Sequence, residues 1–355
     1  MILSERLLIF PFIAFLISFL LFPVIIKIFK QLKWFDAPGT HKIHSDFVPS
    51  MGGVAILFGA SLALLMALPL NQWILMRYFF ISVALMFLIG LRDDVLALSP
   101  RQKLFSQFLP VFVLVLLDDV KLASLYDISP EPFPAIVTYG VSLFTVIIIT
   151  NAYNLVDGID GLAGTVGILS LAFFGVWFYR ADQAFMSLIA LCIGGSLVAF
   201  LLFNWQPSSI FMGDTGALTV GLILSYFAIR FINLNYALPP GHEAKFTASI
   251  STAVCVLIIP IFDTLRVIIL RLKSLQSPFH ADRNHLHHRL LGFGLSHAGA
   301  VKYLAAINVF FIALALLMRN QNDLIFLPII LIICLFISFA LKLKQRSVVK
   351  SEVNA

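Results

Sequence analysis

Five clusters of polar residues break an otherwise apolar chain, and they carry the chemistry. Asp93-Asp94 follows Leu91-Arg92 and precedes Ser99-Pro100-Arg101-Gln102-Lys103. Neighbours on a helix diverge by about 100°, so in a helical segment the two carboxylates address different ligands; one capping a turn and the other solvated is the plainer reading. In the run Asn151-Ala152-Tyr153-Asn154-Leu155-Val156-Asp157-Gly158-Ile159-Asp160-Gly161, amides, carboxylates and glycines alternate. If that run is helical, Asn154, Asp157 and Asp160 share a face, while a connecting loop of ordinary turn residues is the alternative. Asn204-Trp205-Gln206-Pro207 leads to Phe211-Met212-Gly213-Asp214-Thr215-Gly216. Asp214 there stands at a helix start, where a carboxylate either caps the helix or holds a hard cation against a phosphate.

The fourth cluster, Ser277 to Arg289, gathers His280, His285, His287 and His288 with Arg283 and Arg289. Imidazole and guanidinium groups so arranged suit phosphate oxygens. Zinc is a second reading, weakened by the lack of a cysteine or second ligand pair in the cluster, and a solvated, lipid-attracted basic loop is a third. The fifth runs Asp36-Ala37-Pro38-Gly39-Thr40-His41-Lys42, then Gly52-Gly53. Its basic groups suit a headgroup or nucleotide phosphate, and its glycines also suit close helix packing. Carboxylates, glycine-exposed amides and basic groups together fit magnesium-dependent chemistry on a phosphate. Magnesium takes one or two protein carboxylates, so Asp214 with one other suffices.

The elements that must position these residues are membrane helices. The chain of 355 residues is 60% hydrophobic and 12% charged, against roughly 25% charged in a soluble domain. The expected fold is all-α and polytopic, a single domain over 1–355 with about eleven spans at 7–29, 51–70, 74–91, 104–117, 136–150, 161–178, 184–203, 213–231, 248–270, 300–318 and 323–341, and a short basic tail at 342–355. Leu7–Phe29 is too long for a signal-peptide core and reads as the first span. Cys192, Cys255 and Cys334 fall inside apolar stretches, as packing residues do.

Retained cytoplasmic segments are enriched in Lys and Arg. With the first loop inside, that side holds seventeen of the 24 Lys and Arg residues and the other side seven. The amino terminus is therefore expected outside and the carboxyl terminus in the cytoplasm. All five clusters then fall on the cytoplasmic face. The net charge of +6 follows from this orientation and from anionic substrates; no basic tract interleaved with aromatics points to nucleic acid.

Asp93-Asp94, the run from Asn151 to Gly161, Phe211-Met212-Gly213-Asp214 and Asp282-Arg283-Asn284-His285-Leu286-His287-His288, with Asp36-Ala37-Pro38, His41-Lys42 and Gly52-Gly53, resemble in kind and order the polyprenyl-phosphate N-acetylhexosamine-1-phosphate transferases. The histidine motif is more similar to the WecA-type branch than to the MraY branch. The resemblance implies transfer of N-acetylglucosamine-1-phosphate from UDP-N-acetylglucosamine to undecaprenyl phosphate with release of UMP. That would be the first membrane step of an O-antigen, common-antigen or teichoic-acid type of polysaccharide, in a bacterial inner membrane. It also implies Mg2+ or Mn2+ as cofactor, with Asp214 as the metal aspartate and Asp93, Asp94 and Lys103 as catalytic residues. Asn154, Asp157, Asp160, Asn204 and Phe211 would line the nucleotide pocket; Arg283, His285, His287 and His288 would bind the nucleotide-sugar phosphates. WecA-type members often carry a third aspartate three residues after the pair, and here that position is Ala97, which leaves the metal to Asp214. A homodimer is left open, as are another UDP-N-acetylhexosamine and two other functions. A transporter would place polar groups at mid-membrane, and a membrane prenyltransferase would carry a twin of Asp93-Asp94; the sequence has neither.

Overall fold

A computed structural model describes residues 3–32, 48–275, 277 and 284–353. Asp36-Ala37-Pro38, His41-Lys42 and Arg283 lie outside the described residues. Lipid offers peptide groups no hydrogen-bond partner, so long apolar segments must satisfy their own backbone, and only helices do so segment by segment. The described residues accordingly form helices and connections, with no strand among them.

The first four helices are α1 (Leu3–Leu32), α2 (Gly52–Ala67), the short α3 (Leu70–Leu75) and α4 (Arg77–Val95). Next come α5 (Pro100–Phe112), which runs into a π-helical turn over Val113–Leu117, and α6 (Ala135–Val156). Then follow α7 (Leu162–Arg180), α8 (Ala184–Asn204), α9 (Gly213–Ala237) and the bent pair α10 (Ser249–Val256) and α11 (Ile258–Lys273). The short α12 (Leu286–Gly292), α13 (His297–Leu317) and α14 (Asp323–Val353) complete the chain.

Helices cover all eleven apolar segments, but not all of them meet the requirements of a full crossing. Seven are long and apolar enough, or eight if α10 and α11, bent by 85°, form one span. The expected count of eleven therefore reduces to a polytopic all-α fold with seven to eight clear spans among the described residues. The shortfall has physical causes: α2 has only 16 residues, α5 only 13, and α4 carries Arg77, Arg92, Asp93 and Asp94 within its 19. Such segments rest on protein rather than on lipid along part of their length.

Helix α9 is the centre of the bundle: 83% of its most apolar stretch is buried, against 22% for α1 and α14. It packs on α4 and α6, while α8 packs on α1 and α7. Phe174, Phe178, Phe227 and Phe231 form the aromatic heart between α7 and α9, with Phe178 and Phe227 centroids 5.4 Å apart. Hydrophobic burial does not drive helices together in lipid, so small residues that let backbones approach become important. A Cβ on Gly53 would lie 2.1 Å from the Gly216 nitrogen, so α2 and α9 touch backbone to backbone at their starts. The Gly52 and Gly53 amides donate to the Phe211 and Met212 carbonyls at 2.8 and 2.9 Å. That close-packing use of Gly52-Gly53 brings the 48–53 and 204–212 segments to the same end of the bundle.

Candidate active site

The ends of α4 and α6 and the starts of α5 and α9 meet there. Lys103 reaches this point because Ser99 caps α5: its hydroxyl accepts from Gln102 N, Gln102 Oε1 accepts from Ser99 N at 3.0 Å, and Pro100 sits at the first helical position. This reciprocal cap fixes the first turn and aims Lys103 inward. Its Nζ lies 3.1 Å from Asp93 Oδ2 and pairs with Asp214 Oδ1. Asn154 Nδ2 donates to the same Asp214 oxygen at 2.6 Å.

The adjacent aspartates point to different partners. Asp93, buried, accepts from Leu98 N at 2.7 Å and pairs with Lys103. Asp94 accepts from the Asp214 and Thr215 amides at 2.7 and 2.8 Å, and from the Thr215 hydroxyl. Asp94 thus caps α9 from another helix. The amides that the glycines were expected to expose are already occupied by this carboxylate. None of the hydrogen bonds found among the described residues has Asp214 accepting an amide of this helix start, so of its two expected roles the cap is taken by Asp94. Gly213 has φ +72°, and a Cβ there would lie 2.2 Å from the Ser50 carbonyl and 2.7 Å from Asp94 Oδ2; only glycine turns the chain into α9 this close to the carboxylate.

The 151–161 run is helical only in part, and this corrects the shared-face expectation. Helix α6 ends at Val156, Asp157 is its C-cap, and the chain turns before Gly161. Only Asn154 points from the helix into the cluster. Burial of Asp157, with the charges of Asp214, Asp94 and Asp160 added to it, holds its carboxyl well above the usual carboxylate range. Asp160 goes the other way. Burial raises it, but His297 and the Ser208 hydroxyl, 3.1 Å away, outweigh that and leave it below the usual range. Two carboxyls of one turn are thereby pushed in opposite directions.

Asn204 is buried and bonded inside the protein: its Oδ1 accepts Gly161 N and its Nδ2 donates to Ile210 O, both at 2.8 Å. Asn204 and Asp160 therefore fasten the 157–161 turn to the 204–212 loop, beside the charged cluster. Phe211 is half-buried on that loop, its amide and carbonyl bonded to Pro49 O and Gly52 N.

The histidine motif opens α12. His287 is buried against the same turn, its Nε2 2.4 Å from where a Cβ on Gly158 would lie. Burial first, and His288 next, lower its pKa to about 3, so the ring is neutral. The rings of His287 and His288 lie 4.2 Å apart, centroid to centroid. His285 leans on residues that sequence reasoning passed over: its Nδ1 is 2.9 Å from Asp263 Oδ2 on α11, where Arg266 pairs with Asp263 Oδ1 at 3.1 Å. The signal was present, since charged side chains inside an apolar run are costly and mark function by default.

Among the described residues no three His, Cys, Asp or Glu side chains converge as a metal cage. Asp214 Oδ2 carries none of the hydrogen bonds found among the described residues, and its side chain is 27% exposed. One hard oxygen of this kind fits Mg2+, which completes its octahedron with phosphate oxygens and water.

Residues 76–232 match the family described as glycosyl transferase family 4. The chain is 29% identical, over 91% of its length and 89% of the relative, to the probable undecaprenyl-phosphate N-acetylglucosaminyl 1-phosphate transferase of Bacillus subtilis (strain 168). It is 32% identical, over 74% of its length and 70% of the relative, to the decaprenyl-phosphate N-acetylglucosaminephosphotransferase of Mycolicibacterium smegmatis. A phospho-N-acetylmuramoyl-pentapeptide-transferase of Wolbachia is 34% identical over 61% of this chain and 72% of its own.

Proposed function

Given that the chain belongs to glycosyl transferase family 4, we propose that it transfers N-acetylglucosamine-1-phosphate from UDP-N-acetylglucosamine to undecaprenyl phosphate, releasing UMP. The observation that carries this reading is the pairing of Lys103 with both Asp93 and Asp214, beside which Asn154 donates to Asp214 and Asp94 accepts the Asp214 and Thr215 amides. The N-acetylglucosamine branch is favoured over the muramoyl-pentapeptide branch because the relatives named for it match more of this chain. The excess of Lys and Arg on one set of loops supports a cytoplasmic site in a bacterial inner membrane, with the amino terminus outside, the carboxyl terminus inside and the shorter helices completing eleven spans.

A lipid phosphate monoester has a second pKa of about 6 and is largely dianionic near neutrality. Its oxygen attacks the sugar-linked phosphorus, a new phosphoanhydride forms, and the bond to UMP breaks. Lys103 lies between two carboxylates and is still 20% exposed, which lets it face an incoming phosphate while remaining paired. Asp214 would hold Mg2+ or Mn2+, which supplies charge neutralisation on the phosphate oxygens. Asp94 keeps α9, and with it Asp214, in place. His285, His287 and His288 bound the nucleotide-sugar side. The product would be the first lipid-linked unit of a cell-surface polysaccharide.

Purified protein given undecaprenyl phosphate, Mg2+ and a panel of UDP-sugars is expected to release UMP with UDP-N-acetylglucosamine above all. No release with any UDP-N-acetylhexosamine would overturn the reading. Exchange of labelled UMP into UDP-sugar without lipid phosphate would instead support a covalent adduct on Asp93 or Asp94.

A further inference from the structure

Asp263 and Arg266 sit one turn apart on α11, both buried, with 4% and 6% of their surface exposed. A salt bridge so enclosed adds little stability compared with apolar residues of the same shape, so what the pair holds is informative. Asp263 Oδ1 accepts the Leu286 amide at 2.9 Å, which caps α12, and its Oδ2 meets His285 Nδ1 at the same distance. Arg266 donates to the Asn284 carbonyl, just before His285. Three consecutive residues of the histidine motif, Asn284, His285 and Leu286, are thereby pinned to one helix turn. His285 in turn lies almost parallel to His287, with ring planes at 9° and centroids 5.8 Å apart, and His287 rests on Gly158.

A carboxylate paired with arginine is only an acceptor, so the nitrogen facing it must carry the proton. We propose that Asp263 is a positioning residue for the transfer reaction: it keeps the proton of His285 on Nδ1 and so makes Nε2 the nitrogen offered to the nucleotide-sugar. None of the hydrogen bonds found among the described residues involves Nε2. The neutral ring then accepts from a substrate hydroxyl through Nε2, and the protonated ring donates to a phosphate oxygen through the same atom. The proposal rests on the reading of the histidine motif as substrate-binding.

Two measurements test it, one without turnover. In protein labelled with 15N-histidine, with the His285 signal identified by its loss in His285→Ala, the ring of wild type is expected to carry its proton on Nδ1. Asp263→Asn, whose amide also donates, is expected to move it toward Nε2. A proton on Nε2 in wild type, or an unchanged tautomer in the variant, overturns the proposal; the wild-type spectrum decides even if the variant does not fold. In the UMP-release assay, Asp263→Asn is expected to lower kcat by about 10- to 100-fold, as loss of an orienting partner does, with a smaller change in KM for UDP-N-acetylglucosamine. Asp263→Asn combined with His285→Ala is expected to be no slower than His285→Ala alone. Losses that multiply would assign Asp263 a purely structural role. Absence of turnover in wild type would sink the proposed function, and the tautomer would still judge Asp263.

Discussion

Asp94 and Asp323 perform the same local task at two sites in the bundle. Asp94 leaves α4 to accept the Asp214 and Thr215 amides and the Thr215 hydroxyl at the start of α9; Asp323, the first residue of α14, accepts the Ile250 and Ser251 amides and the Ser251 hydroxyl at the start of α10. Each fills orphan amides of a helix start with a carboxylate borrowed from a distant helix. Their surroundings differ. Asp323 is fully buried, and the hydrogen bonds it makes among the described residues go to that one helix start. Around Asp94 stand Asp93, Asp157 and Asp214, with Lys103 shared between two of them. The comparison teaches that a buried carboxylate on a helix terminus is an architectural part. The proposed active site differs in that, among the described residues, its carboxyls outnumber the cations beside them and Asp214 Oδ2 takes part in none of the hydrogen bonds found.

Substitutions at the two ends separate these roles. Asp214→Asn has the largest expected effect, a loss of UMP release of about 10²- to 10³-fold in protein that remains folded, as when a preorganised charge at the reacting phosphate is removed. Lys103→Met, which leaves Asp93 and Asp214 facing each other without an ammonium, is expected to cost on the order of 100-fold in kcat. Asp94→Asn is expected to lower both thermal stability and kcat, whereas Asp323→Asn lowers stability by about 1 to 3 kcal/mol, the usual cost of spoiling a buried charged hydrogen bond, and leaves kcat unchanged. Equal losses of kcat at Asp94 and Asp323 would erase the distinction. The smallest effect concerns His287. Its ring titrates at about 3 in the fold rather than at 6.5, so across that window the unfolded chain takes up a proton and the folded chain does not. Stability is therefore lost as pH falls below 6.5, and His287→Asn should flatten the fall in melting temperature between pH 7 and 5.

The fold was largely legible because apolar runs bounded by polar clusters leave the chain no choice but helices. What escaped was where helices break: the 85° bend at Leu257 divides one expected span, and its sequence signal was Pro260, which cannot donate to the Val256 carbonyl four residues back; that carbonyl accepts from Ser170 and Asn308 instead. In the site, residue types pointed to the cluster, and Ser99 three residues before Gln102 was a readable cap. The partners were not readable. That Asp94 would cap α9, 120 residues on, or that Asn204 would be spent on Gly161 and Ile210, depends on contacts between helices. Asp263 and Arg266 could have been found as charges in an apolar span, but their link to His285 required the fold.

The most direct test compares UMP release by wild type, Asp214→Asn and Asp323→Asn, each corrected for folded fraction, with UDP-N-acetylglucosamine, undecaprenyl phosphate and Mg2+. Wild type and Asp323→Asn are predicted to turn over at the same rate and Asp214→Asn to fall by about 10²- to 10³-fold. Turnover by Asp214→Asn at the wild-type rate would contradict the assignment of the chemistry to that end of the bundle.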